Sequence, residues 1–408
     1  MEMLVIKMKK RVLSLIAVMV IVLPIFAANI ETDRTWYLAG EAIRVNVTAD
    51  DASIVYAELC DTYSLVAGTI VRLKGNNGTG FIELPSDLHS GYYVLSVYTR
   101  HETKVSQRLI AVVNPFQKSE DDDIEWVEIK HPDSLSYALS QPELTSAKDV
   151  DERETEGHII KARVKNIYDG HTFSSSQIHA SLSIIGKQIH YFEGKMVNDS
   201  IAVFYTYGIL GKQPLVLSAC SSTGVSLPVE MMSPFTVLLP KELPHLVFYY
   251  KRNEVETRLI DLQRSKPSEK EVVSGYDDMA FGTKPDLSYN LDEYRPFLTI
   301  REVLLEYVSC VSKRTRNGVD ELIVRKEQEY YNSYLPSLVL IDGMPVHNLD
   351  RLLNYDARRI HYINIYGGQY TFGNGIYHGI LSFVSRSGQL TNYPIERNMQ
   401  YLMYDFPN

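Results

Sequence analysis

Histidines are the first residues of this chain to consider for metal chemistry. His171, His179 and His190 lie eight and eleven residues apart. A zinc site needs several nitrogen or sulfur ligands converging at about 2.0–2.3 Å, and these spacings match no local ligand motif. His179 and His190 stand in strand-like sequence, so we expect exposed strand histidines and no metal.

The cysteines offer little reactive chemistry. Cys60, Cys220 and Cys310 are odd in number, lie far apart and form no CxxC pair. Each ends an apolar stretch, which favours buried free thiols. A single disulfide remains an open alternative.

Compact catalytic motifs are also missing from the sequence. We find no HExxH, GxSxG, SxxK or P-loop pattern. Acid pairs such as Asp121-Asp122 are neighbours in loops and give no acid/base geometry. Gly367 to Gly379 contains five glycines but matches no nucleotide fingerprint, so it is predicted to be a turning loop. We expect no enzyme and no cofactor, and keep a hydrolase only as a reserve hypothesis.

The acidic run Glu120 to Glu125 could bind calcium through carboxylate oxygens. It lacks a glycine-turned loop with regular ligand spacing, so it is predicted to be part of a solvated linker.

Length and charge define the class of protein. At about 150 residues per domain, 408 residues predict two to three domains. The chain is 45% hydrophobic and 22% charged, which is typical of a globular protein. Its net charge of −9 argues against a nucleic-acid partner.

The N-terminus resembles a secretory signal. Lys7, Lys9, Lys10 and Arg11 precede an apolar run from Val12 to Ala27. The run is shorter than the ~20 residues of a spanning helix, so residues 1–27 are predicted to be a cleaved signal peptide. An uncleaved anchor is the alternative. We therefore expect an exported, periplasmic protein at the outer membrane.

Residues 30–115 are predicted to form an antiparallel β-sandwich. Ile43, Val45 and Val47 alternate with polar residues, and about six further strand-like runs follow between turn signals. The runs that carry a family likeness are Trp36–Glu41, Tyr56–Leu59, Gly80–Pro85 and Gly91–Thr99.

In order and content these runs resemble the second macroglobulin-type domain of the alpha-2-macroglobulin superfamily, in the form found in exported proteins of Bacteroidota. The Cys-Gly-Glu-Gln thioester motif of that superfamily is absent from the chain. The resemblance therefore implies the fold without covalent protease trapping.

A second β-sandwich is predicted for residues 157–235, after an acidic linker over 116–156. Ile160, Ala162 and Val164 show the alternation of a half-buried strand. The region loosely resembles the carboxypeptidase-regulatory-like sandwiches found beside outer-membrane receptors. Residues 236–297 form a connecting segment, in which Arg258, Asp261 and Arg264 could share one helix face.

Residues 298–388 are predicted to be a small α+β domain. Thr299 and Glu302 form a capping box, and the helix that follows is predicted to end near Lys313-Arg314. Asp342-Gly343 predicts a tight hairpin turn. The other predicted elements are strands at Ser337–Ile341, Arg359–Ile365 and Ile380–Val384 and a short helix capped by Asn348.

This domain resembles the plug of TonB-dependent outer-membrane receptors. The matching segments are Leu338–Val346, Ile360–Tyr366, Tyr370–Gly373 and Gly379–Arg386. In that family a large barrel follows the plug. Only twenty residues follow Gly388, so we expect no barrel here and do not carry over transport activity.

Together these features predict a mainly β protein with two consecutive antiparallel sandwiches followed by a small plug-like α+β domain. We expect a non-catalytic periplasmic envelope protein whose plug-like domain contacts or occludes a separately encoded outer-membrane barrel, with peripheral membrane association. The alternative is a surface-displayed adhesion or glycan/peptide-binding protein. The tail, residues 389–408, could dock on a partner or fold back on its own domain, and folding back is favoured. The candidate partner-binding residues are Asp342, Gly343, Tyr370, Phe372, Gly373, Gly375, Tyr404 and Phe406.

Overall fold

The structure is a computed structural model. It describes residues 28–115, 122–129, 148, 150–155, 157–185, 189–264, 281, 283–316, 319–325, 335–388, 390 and 393–407. The predicted signal peptide and most of the predicted acidic linker lie outside these residues. Within them, no helix is long and apolar enough to cross a membrane. The chain is mainly β, which confirms the predicted fold class.

Twenty-seven strands and three α-helices follow one another along the described residues. The first nine strands are β1 Asn29–Thr32, β2 Trp36–Leu38, β3 Ala42–Thr48, β4 Ile54–Cys60, β5 Leu65–Arg72, β6 Asn77–Glu83, β7 Gly91–Tyr98, β8 Ser106–Val113 and β9 Ile124–Glu128. The next nine are β10 His158–Val164, β11 Ile167–Tyr168, β12 His171–Thr172, β13 Ile178–Ile184, β14 His190–Glu193, β15 Lys195–Met196, β16 Ile201–Thr206, β17 Gly211–Ser221 and β18 Val229–Met231. The rest are β19 Leu246–Tyr250, α1 Arg252–Arg264, β20 Leu287–Asn290, α2 Ile300–Glu306, β21 Val311–Arg316, β22 Val319–Val324, β23 Leu338–Ile341, β24 Met344–Pro345, α3 Leu349–Leu353, β25 Ile360–Phe372, β26 Gly375–Ser385 and β27 Gln400–Phe406.

The chain divides into two compact units. One comprises Met1–Arg153 and Val237–Leu259, and the other comprises Glu154–Thr236 and Ile260–Asn408. Each unit is therefore built from two separate stretches of sequence.

The first sandwich consists of sheets β1-β3-β6 and β2-β8-β7-β4-β5. Ile43, Val45 and Val47 point into its core, where they meet Leu59 and Val97 of the facing sheet. This alternation is the one that predicted the domain. All pairings in the two sheets are antiparallel except β2 with β8.

Outside that sandwich, β9 pairs in parallel with β19. The buried Glu58 carboxylate accepts hydrogen bonds from Tyr98 Oη at 2.8 Å, from Val237 N at 3.1 Å and from Leu238 N at 2.5 Å. A carboxylate removed from water requires such donors. Glu58 therefore fixes the start of the 237–259 stretch to the first sandwich.

Helix α1 confirms the helix predicted around Arg258. Its Arg258 guanidinium lies 3.7 Å from the centre of the Trp36 ring and pairs with Glu41. Trp126 packs edge-on against Phe248 and Tyr250 on β19. Both tryptophans of the chain therefore lie in the first unit.

The second sandwich consists of sheets β15-β16-β10-β18 and β14-β13-β17-β27. Its last strand, β27, comes from the C-terminal end of the chain and pairs antiparallel with β17 over the register from Gly211–Phe406 to Leu217–Gln400. The tail folds back as predicted, but onto the second sandwich rather than onto the α+β domain. The predicted range of this sandwich, residues 157–235, therefore lacks one of its strands, β27.

The α+β domain is built on the sheet β20-β25-β26-β23-β24. Thr299 and Glu302 form the predicted capping box of α2, and Asn348 caps α3 as predicted. Asp342 and Gly343 both have positive φ, 48° and 92°, which confirms the tight turn between β23 and β24.

Two predictions for this domain are wrong: the end of the first helix and the structure of the glycine-rich segment. Helix α2 ends at Glu306, and Lys313-Arg314 lie instead on strand β21. There they form ion pairs with acids of β22, Lys313 Nζ to Asp320 at 2.5 Å and Arg314 to Glu321 at 3.0 Å. The cations that suit a helix end equally suit cross-strand pairing with these carboxylates.

The glycine-rich segment is the second correction. Gly367 to Gly379 is not a loop but the outer half of the long β25–β26 hairpin. Gly367 and Gly368 lie at an irregularity between Tyr366 and Gln369, and the turn falls at Gly373. Aromatic and β-branched residues between the glycines explain the strands.

Candidate functional site

The second unit contains a seam between the second sandwich and the α+β domain. One face of the α+β sheet, with Val339, Ile341 and Phe383, packs against α2 and α3. The other face, with Leu340 and Tyr366, packs against residues of the second sandwich around β14. Both faces of this sheet are therefore buried within the chain.

The tip of the β25–β26 hairpin lies at the seam, and four predicted partner-binding residues are on it. Phe372 packs edge-on against Tyr191 of β14 with ring centres 5.6 Å apart, and Tyr370 stacks on Phe372 at 6.2 Å. A Cβ on Gly373 would lie 2.4 Å from Glu193 O, and one on Gly375 would lie 2.2 Å from the Glu193 carboxylate. At Gly373, where φ is positive and the neighbour is backbone, only glycine allows this close approach.

The Asp342-Gly343 turn meets the same sandwich from the other end of the sheet. A Cβ on Gly343 would lie 3.2 Å from Ile184 O. The buried Asp342 carboxylate accepts hydrogen bonds from Ser385 N at 2.7 Å, Ser385 Oγ at 2.5 Å and Leu390 N at 2.9 Å. Asp342 thus organises the chain around the turn.

Tyr404 and Phe406 lie on β27 and are buried in the second sandwich. The Tyr404 hydroxyl is 2.6 Å from His158 Nε2, and His158 Nδ1 is 3.0 Å from Glu154 Oε1. Glu154 Oε1 also accepts a hydrogen bond from Ile159 N at 2.8 Å. All eight predicted residues have contacts within the chain, and their binding to another protein stays a prediction.

A polar network at the seam was not predicted from the sequence. Glu193 on β14 lies 3.0 Å from His179 Nδ1 and accepts a hydrogen bond from the Tyr377 hydroxyl, which is 3.1 Å from Tyr191 Oη. We call these four residues the seam network. The hydrogen bond to the Glu193 carboxylate raises the pKa of His179, and burial raises the pKa of Tyr377. The position of each residue within its own strand does not reveal which of the others it contacts.

A second line of polar groups lies behind the seam network. Ser181 Oγ and Ser218 Oγ are 2.6 Å apart, and Ser218 Oγ is 3.1 Å from His347 Nε2. Burial lowers the pKa of His347 to about 4, so its imidazole is neutral at physiological pH. His347 comes from the segment after β24, so this line also joins the two domains.

The seam network, Ser181 and His347 line a cleft of about 290 Å³, which we call the seam cleft. Its apolar walls come from both domains and from β22, which covers one side. The apolar lining residues used below are Val319, Leu322, Val339, Val346 and Leu349. The volume is close to the lower end of the roughly 300–1,000 Å³ of small-molecule sites, which often occur at domain interfaces.

Burial raises the pKa of all three cysteine thiols in the described residues, which favours their neutral form. Cys220 lines the cleft, and burial raises its pKa to about 12, so it is a neutral thiol. Cys60 and Cys310 are also free thiols. Within the described ranges, no group of three or more His, Cys, Asp or Glu residues could hold a metal ion. His179 is an exposed strand residue, as predicted, whereas the same prediction is wrong for His190, which is partly buried on β14.

A second surface lies on the outer side of α2. Leu298, just before the N-cap of the helix, and Leu305, in its last turn, are 66% and 78% exposed. Tyr294, Phe297 and Tyr307 line part of a cleft of about 190 Å³, together with the charged residues Asp292, Arg295, Arg358 and Arg386. We call the two leucines and the three aromatic residues the α2 face.

Comparisons with known proteins give distant structural likeness only. No family model and no curated protein matches the chain. Trypsin-activated alpha-2-macroglobulin from Escherichia coli is 10% identical over 53% of this chain and 16% of its own, with a TM-score of 0.20. A biofilm-associated protein BSP domain is 11% identical over 53% of this chain and 30% of its own, with a TM-score of 0.19.

The chain thus spans less than a third of the length of these structures. At these TM-scores the likeness carries no argument, and the architecture rests on the strands and sheets described above.

Proposed function

We propose that this protein is a non-catalytic, exported component of the bacterial outer-membrane envelope, and that its plug-like α+β domain contacts a separately encoded outer-membrane barrel through the α2 face. The exposed apolar pair Leu298 and Leu305 is the observation that carries the proposal. The signal-like N-terminus supports export of the protein. The plug resemblance supports an outer-membrane barrel as its partner.

Contact is favoured over occlusion of a pore. A plug that fills a barrel must present its own surface to the barrel wall. Here Leu340 and Tyr366 of the sheet pack against the second sandwich, while the opposite face is covered by α2 and α3. The domain would have to leave the second sandwich before it could enter a barrel.

The α2 face has the composition of a contact surface. Apolar side chains exposed together, next to aromatic rings, mark protein interaction sites more often than isolated apolar residues do. Tyr307 packs against Tyr294 and Phe297 with ring centres 4.6 and 5.4 Å away. Phe297 and Tyr307 of this aromatic group are close in sequence to Leu298 and Leu305.

In-cell cross-linking of the full chain followed by affinity capture tests the proposal. We expect capture of one barrel protein, reduced at least tenfold in the double variant Leu298→Asp, Leu305→Asp. Leu287→Asp is the matched control, because Leu287 is 44% exposed in the same domain but lies on β20. Equal capture of the barrel by both variants, or capture of no barrel, contradicts the proposal.

A second candidate function, a surface-displayed glycan- or peptide-binding protein, is favoured by the seam cleft. Protease accessibility in intact cells separates the two locations. A periplasmic protein stays protected until the outer membrane is permeabilised, whereas a displayed protein is cleaved at once.

A further inference from the structure

We infer that the seam cleft is a binding site for an uncharged, hydroxyl-bearing ligand of monosaccharide size. This inference deepens the second candidate function and does not depend on the barrel contact. It rests on the polarity of the cleft floor, the pairing of its charges and the apolar surface of its walls.

The floor of the cleft presents a neutral imidazole. His347 lines the cleft, and its Nε2 is engaged by Ser218 Oγ at 3.1 Å. Its Nδ1 has no hydrogen-bond partner among the residues that the structure describes. The ring is partly exposed at the cleft, so Nδ1 can form a hydrogen bond with a ligand bound there.

The rim offers further hydrogen-bonding groups. His179, Glu193 and Tyr377 of the seam network line the cleft together with Ser221 and Ser222. Carboxylate, imidazole and hydroxyl groups at different positions can each receive or donate a bond to a sugar hydroxyl. The network fixes these side chains before any ligand arrives, which lowers the entropic cost of binding.

The charges at the cleft are already paired. Glu193 lies 3.0 Å from His179, Asp320 is paired with Lys313, and Glu321 is paired with Arg314. An anionic ligand would therefore find no unpaired cation on the described lining and would face three carboxylates. Burying a charge without a partner is costly, so the cleft selects against anions.

The walls complete the chemical description. Val319, Leu322, Val339, Val346 and Leu349 form apolar surface opposite the polar rim. A sugar ring has C–H faces as well as hydroxyl edges and can use both sides of such a cleft. A fully apolar ligand would contact only the apolar walls and would make no hydrogen bonds with the polar rim.

Titration of the full chain with neutral methyl glycosides tests the inference. The probes are the methyl glycosides of glucose, galactose, mannose and N-acetylglucosamine, followed by saturation-transfer NMR and calorimetry. We expect at least one to bind with a Kd on the order of 1 mM. The matching methyl uronosides, in which a carboxylate replaces one hydroxymethyl group, should bind at least tenfold more weakly.

Two variants place the binding in the cleft. Ser222→Trp fills the exposed rim of the cleft and should abolish binding, whereas Ser176→Trp introduces the same side chain at an exposed position outside it. His347→Gln should weaken binding at least fivefold while the chain stays folded. The Leu298→Asp, Leu305→Asp variant should bind sugar normally, so failure of the barrel contact and failure of this site are distinguishable.

Several results would overturn the inference. They are the absence of binding by all four glycosides, uronosides that bind as tightly as the neutral sugars, and binding that survives Ser222→Trp unchanged.

Discussion

The two β-sandwiches differ in where their strands come from. The first completes both of its sheets with strands from 29 to 113, and the 237–259 stretch adds only to its outside. The second takes its edge strand β27, which pairs with β17, from Gln400–Phe406, after the whole α+β domain. The first can therefore form from local sequence, whereas the second also needs residues 400–406 to complete one of its sheets.

Each unit joins its distant stretch through a buried carboxylate. In the first unit, Glu58 receives the amides of Val237 and Leu238. In the second unit, Glu154 holds His158, which meets Tyr404 on β27. Buried polar groups of this kind specify a single pairing because an unsatisfied carboxylate is costly.

Removal of β27 should have the largest effect. We expect a chain ending at Met399 to lose the cooperative folding of the second unit, because burial of Tyr404 and Phe406 alone contributes about 3–6 kcal/mol. Calorimetry should show the second unit's transition gone. Tryptophan emission, which reports only the first unit, should keep its unfolding midpoint. A shift in both signals would mean that the two units do not fold separately.

Glu58→Gln tests the corresponding anchor in the first unit. We expect a loss of about 2–4 kcal/mol, since a fully buried carboxylate with three donors is replaced by an amide that must turn its own donor toward one of them. Urea unfolding followed by tryptophan emission measures the loss. Glu83→Gln, at an exposed position on β6, should change the midpoint little.

Acidification should lower the stability of the second unit relative to that of the first, because of His347. Its pKa is lowered to about 4 in the folded chain, against 6.5 for a free histidine. Between these values the unfolded chain binds the extra proton, so this group's stabilising contribution falls as the pH drops from about 6.5 to 4, by about 3 kcal/mol in total. The second unit's calorimetric transition should move down relative to the first, and less so in His347→Gln. Identical shifts in wild type and variant would contradict this assignment.

Tyr404→Phe should have the smallest effect. It removes the hydroxyl 2.6 Å from His158 Nε2 but keeps the buried ring, so we expect a loss of about 1 kcal/mol in the second unit. Tyr401→Phe on the same strand is the control, because Tyr401 is 48% exposed. Equal urea unfolding midpoints for the two variants would contradict a stabilising role for the hydrogen bond between Tyr404 and His158.

Local patterns predicted much of the fold. Alternation at Ile43, Val45 and Val47 identified a sandwich strand, Thr299 with Glu302 identified a helix start, and Asp342-Gly343 identified a turn. In each case the signal lies within a few residues of the structure that it specifies. Neighbouring side chains and backbone propensities are enough to decide such elements.

Long-range pairing limited the rest. Gln400–Phe406 forms a strand, but nothing in its sequence identifies β17 as its partner. The end of α2 was misplaced because Lys313 and Arg314 have acidic partners across a hairpin. The seam network joins residues almost two hundred positions apart, such as Glu193 and Tyr377, and only the folded chain brings them together.

Hydrogen exchange of the full chain at the C-terminal strand tests the central claim most directly. If β27 is an integral strand of the second sandwich, the backbone amides of Gln400–Phe406 that bond to β17 should be protected to the same degree as those between β13 and β17. Exchange of those amides within seconds, while β13 and β17 stay protected, would contradict the account.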